Sequence, residues 1–359
     1  MKSDFIIDDN GILMEYLGCD SEIVIPDGIN GIADRVFCDC KEITSVIIPN
    51  SVKNIGSYAF SSCINLKNVV LPKKIKKISD WAFHDCTSLT KIVLPKGITK
   101  IGKLAFSDCL TLEDIVLPDG LKSIGDFAFS NCCELKKIVI PKSVTKLGIC
   151  VFEDCESLGE FVFPESVSDI PKYFFTCCSN LKKVTVPNSI QRIGECAFIN
   201  CESLESIVIP EGITKIKSAT LKKCKKLKSV TMPKSINYID FGAFEYCGDI
   251  ENVYISSLAA WFNINFREPC SNPLWYAKNL YVDGVIVQDN VVVPECVTKI
   301  RAFVFSDYKR ITGIIIHDGV TEIEDCAFPD NCDFIIYAHK GSYAEKYSKK
   351  KNIHFETIT

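Results

Sequence analysis

No stretch of the chain approaches the roughly 18 apolar residues needed to cross a bilayer, so no membrane insertion is expected. Charge of either sign is not in excess: 41 Lys and Arg stand against 45 Asp and Glu, a formal net charge of -4. That balance argues against nucleic acid or an anionic membrane as a general partner. Histidine is scarce, with His84, His317, His339 and His354 widely spaced along the chain. There is no G-x-S-x-G, no H-E-x-x-H, no phosphate-binding glycine loop and no C-x-x-C. The usual signatures of serine hydrolases, zinc proteases, nucleotide enzymes and zinc ribbons are therefore missing. No catalytic residue, metal ligand or cofactor site is assigned. The opening MKSDFIIDDNGILMEYLGCD lacks a basic start followed by an apolar core, so it does not read as a secretory signal. The expected compartment is cytoplasmic, with the cell surface or secretion as the alternative if a signal was trimmed.

What the chain has is a period. Proline recurs every 23 residues at Pro26, Pro49, Pro72, Pro95 and onward to Pro233, and cysteine keeps the same step from Cys40 to Cys247. A fixed period of this length marks a solenoid, in which each repeat is one coil stacked on the last. The stretch LTKIVLPKGITKIGKLAFSDC, Leu89 to Cys109, is a clean copy. It predicts a short strand around Ile92–Leu94, stopped by Pro95, which cannot donate to a ladder. Equivalent strands are expected at Val46–Ile48, Val69–Leu71 and each further step of 23. A second short extended segment follows around Ile98–Ile101. The glycines at Gly56, Gly102, Gly125, Gly148 and Gly194 suggest a turn with unusual dihedrals. The Ala-Phe-x-x-Cys stretch reads as a turn or a single helical turn.

Stacked coils place equal positions side by side. One column of isoleucines and one of phenylalanines, from Phe60 to Phe198, would fill the core. The chain is cysteine-rich, with 20 cysteines. Ten hold one repeat position, which points to packed, reduced thiols; the others, Cys332 among them, are scattered. The fold class is a repeat solenoid: a leucine-rich-repeat-like, curved, right-handed coil with a parallel β-sheet on one face and capped ends. Asn10-Gly11 between two short apolar stretches reads as a hairpin turn. Ser342 reads as the N-cap of a C-terminal helix ending near residue 351, followed by a closing strand at His354–Thr357. The expected division is residues 1–20 as a capping hairpin, 21–256 as repeats, 257–287 as an insertion with a β-hairpin, 288–337 as the last repeats and 338–359 as the C-terminal cap.

The 23-residue unit, with L-P after the strand, A-F in the return stretch and Cys near the end of the coil, resembles the BspA-like leucine-rich repeat family. The insertion, with Trp261 to Phe266 and Asn279 to Gly284, and the ending Gly341 to Tyr347 are similar to segments of that family too. The resemblance implies a repeat fold. It also implies a binding role, since the family includes surface proteins that bind host matrix proteins or neighbouring cells.

Within the strand, alternate side chains point outward. One outward column carries Val70, Val93, Val116, Val139 and Val162; its neighbour carries Lys91, Asp114, Lys137 and Glu160. Valine suits a strand whatever it touches, whereas a continuous apolar stripe flanked by charge suits a binding surface. Trp261 and Trp275, on the insertion, are further interface candidates or anchors of the insertion itself. These eleven residues are the candidate partner-binding set. The expected function is a non-enzymatic scaffold for protein–protein interaction through the sheet face. The partner is an unidentified protein, a glycan being less favoured, and the chain is expected to be a monomer. Two alternatives are a cell-surface adhesin for host matrix protein or another cell, and an enzyme with a site on residues 257–287.

Overall fold

A computed structural model describes residues 4–305, 308–328 and 335–358; Cys332 lies outside the described residues. The chain divides into two compact units. One comprises the residues up to Ser189 together with Ala197–Glu202, the other Ile190–Cys196 together with the residues from Ser203 onward. Both are parallel β-solenoids built from coils of about 23 residues.

In the first unit each coil contributes two strands. The three-residue strands are Glu22–Val24, Ser45–Ile47, Asn68–Val70, Lys91–Val93, Asp114–Val116, Glu160–Val162 and Lys183–Thr185. They start one residue earlier than expected and end before the residue preceding proline. Where neighbours pair they do so parallel and in register, as Asp114↔Lys91 and Val116↔Val93 show, while Asn68–Val70 and Lys91–Val93 fall in separate sheets. The two-residue strands, such as Lys77–Ile78, Lys100–Ile101, Ser123–Ile124 and Lys146–Leu147, form a second parallel ladder. The coil therefore carries two ladders where one sheet was expected. Lys137–Val139 departs from the pattern and keeps only an isolated bridge between Asp114 and Lys137. The backbone bonds on either side of that coil are stretched, Lys136 N–H to Glu113 O at 3.4 Å and Gly159 N–H to Lys136 O at 3.5 Å. The usual spacing is about 2.9–3.0 Å.

The return stretch makes a third set of coil-to-coil bonds. Trp81, Phe83 and Asp85 donate their N–H groups to Lys103, Ala105 and Ser107 at 2.8–2.9 Å. To aim alternate N–H groups at the next coil, the backbone enters the left-handed region twice per coil, at Trp81 (φ 62°) and Asp85 (φ 57°) and their equivalents. Such a conformation is uncommon for bulky residues and is held here by those bonds. The glycines have the opposite role from the one expected. Gly56 and Gly125 are not left-handed. A Cβ at Gly56 would sit 2.5 Å from the Ala33 carbonyl carbon, and one at Gly125 would sit 2.7 Å from that of Gly102. These positions need glycine for close stacking of one coil on the last.

The core lies between the ladders. Phe37, Phe60, Phe83, Phe106, Phe129, Phe152, Phe175 and Phe198 stack ring on ring, with centroids 5.0–6.0 Å apart. All are fully buried. At roughly 1.5–3 kcal/mol for each such side chain, this column is a large share of the unit's stability. The N-terminal hairpin, Phe5–Ile7 against Ile12–Tyr16, is antiparallel. Its second strand continues the two-residue ladder by pairing with Gly31–Ile32.

In the second unit Ser206–Val208, Ser229–Met232, Asn252–Ile255 and Asn279–Val282 form the main parallel ladder. The insertion is partly a coil. Tyr238 pairs with Asn265 and Asn252 with Asn279, each 27 positions on. The extra length of that coil holds a short helix, Leu258–Phe262, capped by Ser257. An antiparallel hairpin then turns at Asp283-Gly284, joining Asn279–Val282 to Val285–Ile286. Asp289–Val292, Ile311–Ile315, Ile335–Ala338 and Phe355–Thr357 complete the unit as a parallel sheet. The C-terminal helix Tyr343–Lys351 has Ser342 as its N-cap, as expected.

Candidate functional site

The outward sheet face of the first unit follows from the alternation within each three-residue strand. Ile92 and Ile115 turn inward and are buried, so their neighbours turn out. Val24, Val70, Val93, Val116, Val139 and Val162 are 54–72% exposed, in line with Ile47 at 46%. Val139 stays on the stripe although its coil lacks the strand. Lys91, Asp114, Lys137 and Glu160 are also exposed, beside the valines. Registered pairing sets Lys91 beside Asp114 and Asp114 beside Lys137, so charge alternates along this column.

Two concavities lie on this face. One, of about 490 Å3, is lined by Lys91, Val93, Lys96, Asp114, Val116 and Asp119 among others. The other, of about 380 Å3, is lined by Val24, Pro26, Ile47, Pro49, Val70 and Lys73 among others. Four of the residues singled out in the sequence thus surround one groove. Val24 was missed, although counting back 23 from Ile47 reaches it. The turn residues Lys96 and Asp119 were missed because their outward aim depends on how the chain leaves the proline.

The tryptophans of the insertion do not join this face. Trp261 is 1% exposed, and its Nε1–H donates to the Val304 carbonyl at 2.9 Å. It is an anchor, and its candidacy as a partner contact is withdrawn: a buried ring has no surface to offer. Asn272, also fully buried, donates to the Phe303 and Val304 carbonyls and caps the turn at Leu274. Trp275 is 43% exposed. A stack of Tyr254 on Tyr281, centroids 5.0 Å apart, occupies outward positions of the second unit.

A polar cluster crosses three coils on the return side of the first unit. His84 Nε2 lies 3.2 Å from Asp108 Oδ2, and His84 Nδ1 lies 3.4 Å from Ser61 Oγ. The order is that of a hydrolytic triad, but Ser61 is buried at 5% exposure. Its hydroxyl is also beyond the usual hydroxyl hydrogen-bond distance of about 2.7–2.8 Å. Asp108 is further engaged by Ser107 and Asn131, both at 2.7 Å. These contacts tie coil to coil. Among the described residues no three His, Cys, Asp or Glu side chains are placed to hold a metal ion. No described helix is long and apolar enough to cross a membrane.

The BspA type leucine rich repeat region matches in six copies, over residues 17–132, 145–270 and 286–350. A leucine-rich repeat protein from Bacteroides ovatus is similar in structure, with a TM-score of 0.73 at 23% identity, over 99% of this chain and 100% of that one. The pneumococcal vaccine antigen PcpA is similar with a TM-score of 0.50 at 17% identity, over 99% of this chain and 98% of that one. No curated protein matches the chain.

Proposed function

Since the chain belongs to the BspA-type leucine-rich repeat family, we propose that it is a non-enzymatic scaffold that binds another protein across the outward sheet face of its first unit. The observation that carries this reading is the row of exposed apolar side chains from Val24 to Val162, most of them set on short runs of paired strands. Contiguous apolar surface of this kind is uncommon on a protein with no partner and marks interaction sites. Pairing holds Val24, Ile47 and Val70 in register, and likewise Val93 with Val116, so little ordering entropy is lost there on binding. The neighbouring column of alternating charge supplies polar contacts and register. A protein suits this surface better than a glycan: the outward column from Val24 to Thr185 has no aromatic ring on which a sugar could stack.

The test is a double substitution, Val116→Lys with Val139→Lys. Both side chains are exposed, so the fold is expected to keep its stability to within about 0.5 kcal/mol for each change. A partner captured from the native cell by the unaltered chain is expected to lose at least about tenfold in affinity, as charge enters an apolar contact. Unchanged affinity of that partner for the double variant would remove the sheet face as the site.

A further inference from the structure

The N-terminal end of the first unit is capped on one ladder and left open on the other. The hairpin strand Ile12–Tyr16 pairs with Gly31–Ile32 and so covers the two-residue ladder. Nothing among the described residues pairs with the outer side of Glu22–Val24, the first strand of the three-residue ladder. The direction of its backbone groups is set by its one neighbour. Ser45 N–H donates to Ser21 O at 3.1 Å, and Ile25 N–H donates to Ile47 O at 3.0 Å. Alternation along a strand then turns the N–H and C=O groups of Glu22 and Val24 the other way, toward the open edge.

An unpaired edge is a template for another strand, and proteins commonly blunt such edges with lysine, proline or a bulge. This edge carries acid. Every ionised side chain from Asp4 to Asp34 is an aspartate or glutamate, and Arg35 is the first cation after them. Asp20, Glu22 and Asp27 are exposed on or beside the strand. Two such edges repel each other, which disfavours symmetric pairing of two copies. The same charge attracts a basic segment. The groove of about 380 Å3 begins at Val24 and runs past Pro26, Ile47 and Pro49 on the outward face. It offers apolar room beside the edge for alternate side chains of an added strand.

We propose that the open edge at Glu22–Val24 binds an extended, basic and apolar segment of a partner protein, which joins the three-residue ladder as an additional strand. Main-chain hydrogen bonds would supply affinity and the carboxylates would select the charge. The site shares Val24 and the adjoining groove with the valine face, but it uses the strand edge and lies away from Val116 and Val139, so substitutions at those two positions test the two readings apart.

The experiment uses the full chain and a fluorescently labelled peptide of alternating lysine and valine, read by anisotropy. Binding is expected at low ionic strength and is expected to weaken as salt is added. Val24→Pro removes the outward N–H while leaving the bonds to Ser45–Ile47, because proline is tolerated where the N–H faces away from the ladder. It is expected to lower peptide affinity by about tenfold or more. Methylating alternate peptide nitrogens should have the same effect with charge unchanged, and Glu22→Lys with Asp27→Lys should abolish binding. Val116→Lys with Val139→Lys should leave it intact. Circular dichroism and the thermal midpoint establish that each variant is folded. The proposal is overturned if a folded Val24→Pro chain binds the peptide as the unaltered chain does, or if the methylated peptide does. Equal binding of a peptide of alternating glutamate and valine overturns the charge selection. Self-association that Val24→Pro removes, with no peptide binding, would assign the edge to a second copy instead.

Discussion

From Cys63 to Cys247 the repeated cysteine is a buried thiol, whereas Cys40, the first of the ten, is only half-buried. Cys109, Cys132 and Cys155 donate to the carbonyls of Phe83, Phe106 and Phe129 in the preceding coil, at 3.1–3.2 Å. The Phe106 carbonyl also accepts from Cys109 N–H, so both lone pairs of that oxygen are used. Every described cysteine is free of a disulfide. Burial pushes the thiols of Cys109, Cys132 and Cys155 up, beyond the ordinary range. An unfolded thiol ionises near about pH 8.5. Above that value the unfolded chain loses protons that the folded chain keeps. The stability is therefore full below about pH 8.5 and falls as pH rises toward the raised folded values. The slope is about 1.4 kcal/mol per pH unit for each buried thiol. The urea midpoint under reducing conditions is expected to drop clearly between pH 7.5 and 9.5. Replacing Cys132 and Cys155 by alanine should make that drop smaller, and a pH-independent midpoint would contradict the burial.

Among the elements, the insertion departs furthest from the repeat. Its residues read in the sequence as a segment beside the solenoid, and Asp283-Gly284 correctly marks a hairpin there. The structure makes the rest of it a lengthened coil that keeps both ladders. The hairpin interrupts the main ladder, and side chains bridge the break. Trp261 and Asn272 reach the carbonyls of Phe303 and Val304, while the Tyr308 hydroxyl donates to Val287 O and accepts from Leu280 N–H. Trp261→Ala is expected to cost about 3–5 kcal/mol, as for other buried aromatics, measured as a shift in the denaturant midpoint. Trp261→Phe restores most of the volume and loses the bond to Val304, so its cost should be clearly smaller. Equal costs would mean that volume contributes little at this position.

For the whole molecule the repeat makes stability a matter of neighbours. Each coil buries its face only against the next, so the ends need caps. The hairpin Phe5–Ile7 and Ile12–Tyr16 covers one ladder and places Tyr16 against Phe37, centroids 5.3 Å apart. A chain beginning at Gly18 would expose Phe37 and leave Gly31–Ile32 as an open edge. It is expected to associate in a concentration-dependent way, seen by light scattering, where the full chain under the same conditions does not. Equal scattering by the two chains would show that the hairpin does not protect this end. In the second unit the strand Phe355–Thr357, which follows the helix Tyr343–Lys351, pairs with Ile335–Ala338 as the last strand of its sheet.

The period of proline and cysteine determined the coil length, the parallel register and the inward columns, because in a stack each equal position meets its equal. The alternation around Ile92 and Ile115 likewise determined which valines face out. The tertiary structure decided what depends on distance between coils. Gly56 and Gly125 read as turn residues, yet they serve close approach, since only the assembled stack brings a neighbouring carbonyl to 2.5–2.7 Å of a missing Cβ. Trp261 read more as an anchor than as an interface residue, and its bond to Val304, 43 positions away, shows what it anchors to. The second ladder, the stretched coil at Lys137–Val139 and the open edge at Glu22–Val24 also belong to the fold. A one-dimensional pattern specifies which side chain a position carries. Whether the backbone beside it finds a partner is set by the neighbouring coil.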